Sequence, residues 1–226
     1  MSDIDQRILD ASRDLITHYG YAKTTIDDIA REAGVAKTTI YTRWKKKDDL
    51  VMATIWREGR HYVHDWQQRM DADPDSSSFA GLFKHALLAL HDNAFMMALI
   101  QNDQALLGSL FGQMDIGQLY QQRMTMMQGL LARMQAAGAV REDVDTAALA
   151  YITNSLQYGL LNLNRLLPDG STPPLEKSLA IIIDLLEAYI TPADGGNQEA
   201  VRQIVQEFAA MALALLDQLE AKTRTA

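Results

Sequence analysis

Apolar residues return every three to four positions along most of the chain, and nowhere do they alternate convincingly with the period of two that a half-buried strand requires. Over residues 4–18, Ile4, Ile8, Ala11, Leu15 and Ile16 mark one face of a helix, and Gly20 is its stop signal. Thr25-Ile26-Asp27-Asp28 then has the form of a capping box, with Thr25 able to accept from the third amide and Asp28 near the positive helix end. That helix is short and ends before Gly34. A third helix is expected over about Lys37 to Arg43, and a fourth, opened by Asp48 and Asp49, continues toward Met70 until "DADPDSSS" (71–78) breaks the chain. Further helices are expected over 79–93, 95–108, 116–137, 145–166, 175–190 and 198–222, separated by "GAVRED", "LPDGSTPP" and "TPADGGN". The pattern predicts an all-α chain of about ten helices.

Two of these segments differ from ordinary amphipathic helices. Residues 145–166 would span about 33 Å as a helix, and their charges are confined to Asp145 and Arg165. Leu149, Ile152, Leu156, Leu160 and Leu163 read as a core stripe, while Asn154, Tyr158 and Asn162 take the opposite side in place of charge. Such a helix is expected to be covered on both sides. Residues 175–190, with "LAIIIDLL" at their centre, are similar. Either both lie within a monomer core, or they supply a four-helix interface to a second copy of the chain.

Charge sharpens the division of the chain. The 226 residues carry 21 Lys+Arg against 29 Asp+Glu, a formal net charge of -8. Residues 1–60 hold eleven of those bases and ten of the acids, so the excess acid lies downstream. An acidic protein is a poor nonspecific polyanion binder, so any contact with nucleic acid is expected from a local N-terminal patch. Lys37, Arg43, Lys45, Lys46 and Lys47 form one. The absence of cysteine leaves no disulfide framework and no thiolate metal site, and fits a reducing cytosol. The acidic, amphipathic start lacks the layout of a signal peptide, and no apolar run approaches the ~18 residues of a membrane span, so a cytoplasmic protein is expected.

Residues 26–44 have the spacing of a helix-turn-helix. Ala30 permits close helix approach, Gly34 allows a left-handed turn, and Val35 with Ile40 packs the second helix on the first. Ile40 and Trp44 share its inward face, which turns Thr38, Thr39 and Thr42 outward with Tyr41 and Arg43 on the flanks. Hydroxyls reach base edges or phosphates, a tyrosine donates to phosphate, and an arginine takes a phosphate or a guanine edge. Lys47 stands where a helix begins, so its amine joins free backbone amides in one anion site. The plainer reading of a charged run is a solvated face, and Thr25 serves equally as a helix cap.

The segment "RILDASRDLITHYGYAKTTIDDIAREAGVAKTTIYTRWKKKDDLV" resembles the N-terminal domain of the TetR family of bacterial transcriptional regulators. The resemblance covers about residues 4–51 and rests on Gly20, Thr25, the "DIA" step, Gly34-Val35, Thr39-Ile40-Tyr41, and Lys47 before an acidic pair and Leu50. It implies an Ω-shaped homodimer, palindromic operator DNA and, usually, repression relieved by a small molecule bound in the C-terminal domain. DNA contact would fall to Thr25, Lys37, Thr38, Thr39, Tyr41, Thr42, Arg43 and Lys47. The domains would be 1–47 for DNA and 48–226 for effector and dimerisation, with 48–70 as the linking helix and the partner helix pair near 145–166 and 175–190. The sequence departs from the family pattern at Ala36, where a polar cap is usual, at Thr38, and at Trp44.

Seven of the eleven methionines, among them Met96, Met114, Met124 and Met134, fall between residues 96 and 134, and thioether chains adapt to apolar ligands as readily as they fill cores. The expected contacts of a hydrophobic effector are Met96, Asn102, Gln121, Met124, Asn154, Tyr158 and Asn162. Glu58-x-x-His61 resembles half of a carboxylate metal site, but no second copy exists, and His61 with His64 is too few ligands. With no phosphate loop or nucleophile elbow, neither catalysis nor a cofactor is expected. The competing reading is a binding or scaffolding protein whose helix-turn-helix no longer reads DNA.

Overall fold

Every regular element described in the computed structural model is a helix. The structure describes residues 2–73, 76–101, 116–163, 166–168 and 170–225. Ten helices fall among them: α1 (Asp3–Tyr19), α2 (Ile26–Glu32), α3 (Lys37–Tyr41), α4 (Lys47–Ala72), α5 (Phe79–Asp92), α6 (Ala94–Ile100), α7 (Ile116–Ala136), α8 (Thr146–Asn162), α9 (Leu175–Ile190) and α10 (Gln198–Thr225). Their starts follow from side-chain caps. Ser2 with Asp5 and Thr25 with Asp28 form capping boxes, Asn93 accepts from the amide of Met96, and Asp145 accepts from Ala147 and Ala148. The helix expected over 95–108 is described only as far as α6, and its remainder lies outside the described residues. The segment expected over 145–166 is helical to Asn162, with Leu163 as its C-cap.

The chain forms two compact units. The described residues of the first lie within 1–62, 93–115 and 212–226. Its core joins Ile8, Leu9 and Ala11 of α1 to Ile26, Ile29 and Ala30 of α2, Ile40 of α3, Trp44, and Leu50 and Ala53 of α4. Trp44 is therefore an inward anchor, whereas Ile4 is 36% exposed and lies outside the apolar face assigned to it. Gly34 adopts φ of 63°, the left-handed turn its position requires, and a Cβ there would stand 3.0 Å from Nη2 of Arg7.

Beneath α1 the same unit buries a charge cluster. Arg57 and Glu58, neighbours on α4, are both almost fully buried. Arg57 Nη2 donates to Glu58 Oε1 at 2.8 Å, while its Nη1 pairs with Asp10 at 2.9 Å and donates to the carbonyl of Gln6 at 3.3 Å. Glu58 also has Arg13 at 3.9 Å, His61 at 3.5 Å, and the amide of Asn93 donating to its Oε2 at 3.3 Å. Glu58 thus belongs to an ion-pair network joining α1, α4 and the cap of α6. Among the described residues, no three His, Asp or Glu side chains are placed to hold a metal ion.

The described residues of the second unit lie within 63–92 and 116–211. Helix α5 is buried almost all round, with Phe79, Leu82, Phe83, Leu87 and Leu90 inside, and packs against α8 and α9; α7 packs along α8. Gly81 is required by contact, since a Cβ would stand 2.4 Å from the carbonyl oxygen of Ser76. Trp66 meets Phe208 of α10 edge to face at 6.1 Å between ring centroids, and Arg202 of α10 donates to Ser77 at 3.0 Å.

Helix α8 corrects the expected core stripe. Its buried side is Leu149, Ala150, Thr153, Gln157 and Leu161, while Ile152 and Leu163 are each 51% exposed and Leu156 is 36% exposed. A helix apolar on two sides has no single moment to point it, so periodicity alone does not tell the core face from a second apolar surface.

Two stability measurements follow. Arg57→Met leaves Glu58 buried without its main partner and should lose about 3–5 kcal/mol in denaturant unfolding. The double variant R57M/E58L should recover most of that, and equal losses for both would show that the pair itself stabilises the fold. The second concerns His85, whose Nε2 faces Asp73 Oδ2 at 2.8 Å. Burial, with Lys84 and Arg69 adding to it, holds the imidazole below its ordinary value near 6.5 against the opposing pull of Asp73. As pH falls below about 6.5 the unfolded chain takes up this proton before the folded one, so the contribution present at neutral pH is lost toward the lower folded value. Stability of His85→Gln should fall less steeply over that window than stability of the unaltered protein.

Candidate nucleic-acid interface

The exposed face of α3 follows from what its other face must bury. With Ile40 and Trp44 inward, Lys37, Thr38, Tyr41, Thr42 and Arg43 are exposed and Thr39 is half-buried. Tyr41 is 46% exposed, a large apolar ring on an otherwise polar surface. Ala36 precedes the helix in extended conformation and supplies no side-chain cap, so α3 begins without one and rests on its packing.

Several of the face's polar groups are already engaged within the protein. Lys37 Nζ lies 2.9 Å from Asp27 Oδ2, which raises the lysine above its ordinary value. Arg43 Nε is held by Asp5, and its Nη1 donates to the carbonyl of Thr39 at 3.0 Å. Asp5 is itself fixed by the capping box of α1, where its other oxygen accepts from the amide of Ser2 at 3.1 Å. Thr42 donates to the same Thr39 carbonyl at 2.8 Å. Thr25 is exposed, and its hydroxyl accepts from the amide of Asp28 at 3.1 Å while lying 2.6 Å from that residue's carboxylate, so it serves as the cap of α2.

Lys47 opens α4 and is half-buried. Its ammonium donates to the carbonyl of Tyr21 and stands over that residue's ring, 3.8 Å from the centroid. Burial lowers this amine from the ordinary lysine value, with Asp48 opposing. Tyr21 in turn donates to Asp48, and Asp49 accepts from the amide of Lys46 at 3.0 Å. The first turn of α4 is therefore tied down by acids, with the lysine beside it.

Sequence reading did not find the residues that hold this face in place. Arg7 donates from α1 to the carbonyls of Ala33 and Gly34, the latter at 3.1 Å, and so clamps the turn between α2 and α3. Asp5, Asp27 and Tyr21 were likewise unmarked. An acid–base pair ten or thirty-eight positions apart in the chain leaves no periodic signal.

The expected effector contacts are dispersed. Met96 is half-buried on α6 of the first unit, and Asn102 lies outside the described residues, as does Met114. In the second unit Gln121 and Tyr158 are exposed, while Met124, Asn154 and Asn162 are half-buried. The amides of Asn154 and Asn162 each donate at 2.8 Å to the carbonyl four residues earlier, a bond that mid-helix polar side chains readily form. A cleft of about 400 Å³ opens between α8 and α9, lined by Ala148, Ile152, Leu156, Ile182, Leu185 and Tyr189 among others, and by none of the expected contacts.

Comparison with known proteins agrees with this geometry. The family model for bacterial regulatory proteins of the tetR family matches residues 8–54. The chain is 25% identical to the fatty acid metabolism regulator protein of Bacillus subtilis (strain 168) over 62% of its own length and 72% of that protein's. It is 26% identical to the uncharacterised HTH-type transcriptional regulator YhgD of the same organism, over 86% of this chain and 98% of that one. The crystal structure of the transcriptional regulator FadR from Bacillus subtilis in complex with stearoyl-CoA superposes with a TM-score of 0.59 at 18% identity, covering 80% of this chain and 96% of that one, a likeness of fold. Residues 8–54 thus carry the helix-turn-helix domain of the bacterial regulatory proteins of the tetR family, and the described remainder shares the all-helical fold of a solved regulator.

Proposed function

We propose that this protein is a ligand-responsive repressor that binds a palindromic operator as a homodimer and is released by a small effector with an apolar chain. The observation that carries the DNA-binding part is the face of α3, where hydroxyls, an exposed tyrosine and two cations stand on a buried Ile40–Trp44 base. A helix-turn-helix that had ceased to read DNA would have no need of that combination. Lys47 at the start of α4 suits a phosphate, which would meet the ammonium at the positive end of the helix.

The homodimer rests on α8 and α9. Tyr151, Ile152, Leu156, Ile181, Leu185 and Tyr189 are all exposed, and soluble monomers rarely leave so continuous an apolar surface to water. Apolar outer faces on two helices suit a twofold four-helix interface, in which the cleft between them receives side chains of the second copy. Two heads then sit about 34 Å apart, one turn of DNA, or a multiple of it. Helix α4 carries its first turn in the reading head and its last turn in the second unit, so an effector bound in the second unit that moves α4 would change this spacing. The apolar effector is supported by the curated relative's role in fatty acid metabolism and by the stearoyl-CoA of the solved regulator.

A selection of genomic fragments with the purified protein should enrich one palindromic sequence, and failure to enrich any would remove the regulator reading. On that operator, Tyr41→Phe and Lys47→Ala should weaken binding across sequence variants, and loss of Lys47 should reduce the salt slope by about one contact per subunit. An unchanged slope takes Lys47 out of the interface. Leu185→Glu should convert the dimer to a monomer in sedimentation equilibrium and lower operator affinity at least about 100-fold, since the second head is no longer tethered to the first. A variant that still sediments as a dimer would move the interface elsewhere.

A further inference from the structure

Among its described residues, the second unit contains a cation that no acid neutralises. Arg13, Arg31, Arg43, Arg57, Arg60, Arg69, Arg133, Arg141 and Arg202 each lie in an ion pair, whereas Arg7 and Arg123 have an acidic partner among none of the described residues. Arg7 is consumed by the two carbonyls of the helix-turn-helix turn. Arg123 is half-buried on α7, and its Nη2 donates to Gln157 Oε1, a neutral amide on the inward side of α8. Gln157 is itself buried, and it fixes the guanidinium without cancelling its charge. A carboxylate is the ordinary answer to a guanidinium drawn partly out of water, and none of the described residues supplies one here.

The surroundings indicate what is meant to answer it. Arg123 lies on the apolar side of α7, where Met124 and Met127 are half-buried and Leu131 and Met134 are fully buried along the same face. Tyr120, one turn earlier, is half-buried too, and its phenol is pushed up by burial while Arg123 pulls it down. A single cation at one end of a thioether-rich strip is the complement of an amphipathic anion. An independent observation points the same way. The indole Nε1 of Trp66 and the Nδ1 of His85, both on side chains more than nine-tenths buried in this unit, have no hydrogen-bond partner among the described residues. With Nε2 donating to Asp73, Nδ1 of His85 is left as a bare acceptor. Buried polar groups are ordinarily satisfied, so a donor and an acceptor left open in the same unit as an unneutralised cation suit an interior that a polar ligand completes.

We propose that Arg123, held by Gln157, binds the anionic head of the effector, and that the effector is an amphipathic anion with an apolar chain and a carboxylate or phosphate head. This rests on the ligand-responsive reading above and adds to it a residue and a charge. Guanidinium suits either head group, because its donors match the paired oxygens of both. Arg123 was not among the expected effector contacts, which included its neighbours Gln121 and Met124.

The test uses the full-length protein with three probes of equal chain length: sodium palmitate, palmitoyl-CoA and uncharged hexadecanol. Binding is followed by calorimetry and by the shift in melting temperature. At least one of the two anions should bind, and hexadecanol should bind about 30-fold more weakly than it. Palmitate as the tighter ligand assigns Arg123 to a carboxylate, and palmitoyl-CoA to the phosphates. Arg123→Gln should lose about 30-fold in affinity for the preferred anion and nothing for hexadecanol. Arg123→Lys, which keeps the charge and loses the planar fork, should recover part of the loss and guards against a variant that fails to fold. Arg133→Gln, on the outer face of α7 and paired with Glu207, should bind as the unaltered protein does. The proposal is overturned if neither anion binds, if hexadecanol binds as well as the anions, if Arg123→Gln retains full affinity, or if that change alters only the dimer equilibrium. None of these readouts involves DNA. A protein that selects no operator yet holds palmitate through Arg123 would sink the regulator reading and leave the anion site standing.

Discussion

Two adjacent charges, Arg57 and Glu58, are taken out of water beneath α1, and much of the first unit is arranged to satisfy them. Burying a guanidinium and a carboxylate is tolerable only with good geometry and further hydrogen bonds. Here α1 supplies Asp10 and the Gln6 carbonyl, and Asn93 supplies its amide. Helix α1 is thereby seated on α4 by bonds that have direction, which apolar packing alone lacks. From that seat Ile8 and Leu9 pack toward Ile29 and Ile40, and Arg7 reaches the turn between α2 and α3. The outward face of α3 is the last consequence of this chain of contacts.

The electrostatics of that face are restrained. Lys37 and Arg43 stand beside Asp27 and Asp5, so two of its cations enter any encounter with a polyanion already paired. Exposed pairs of this kind contribute little to stability, but they hold long side chains in one place and weaken long-range attraction. In a chain of net charge -8, a face whose cations are paired in this way would attract a polyanion weakly at a distance and leave discrimination to close contact.

The second unit distributes its polar groups in the opposite sense. Helix α8 turns Ile152, Leu156 and Tyr151 to the outside and keeps Thr153 and Gln157 inside. The buried threonine is satisfied by the carbonyl of Leu149 at 2.8 Å, so the glutamine is the group free to address another helix, and it addresses Arg123. Apolar groups outside and polar groups inside invert the usual order for a soluble helix. Both departures make sense for a surface and an interior that are each completed by something else.

Local chemistry determined a good deal. The all-helical class, the capped start of α2, the left-handed turn at Gly34, the inward Ile40 and Trp44 and the uncapped start of α3 were all legible, because caps, turns and a 3.6-residue period act between neighbours in the chain. What the sequence could not determine were the pairings across the chain. Arg43 with Asp5, Lys47 with Tyr21, Arg57 with Asp10 and Arg123 with Gln157 join residues tens of positions apart, and each charged or polar member reads locally as one more solvated side chain. The two-sided apolar pattern of α8 was visible, but which side meets the core was decided only when α5 and α7 packed against it, since burial is a property of neighbouring helices and not of the helix that is buried.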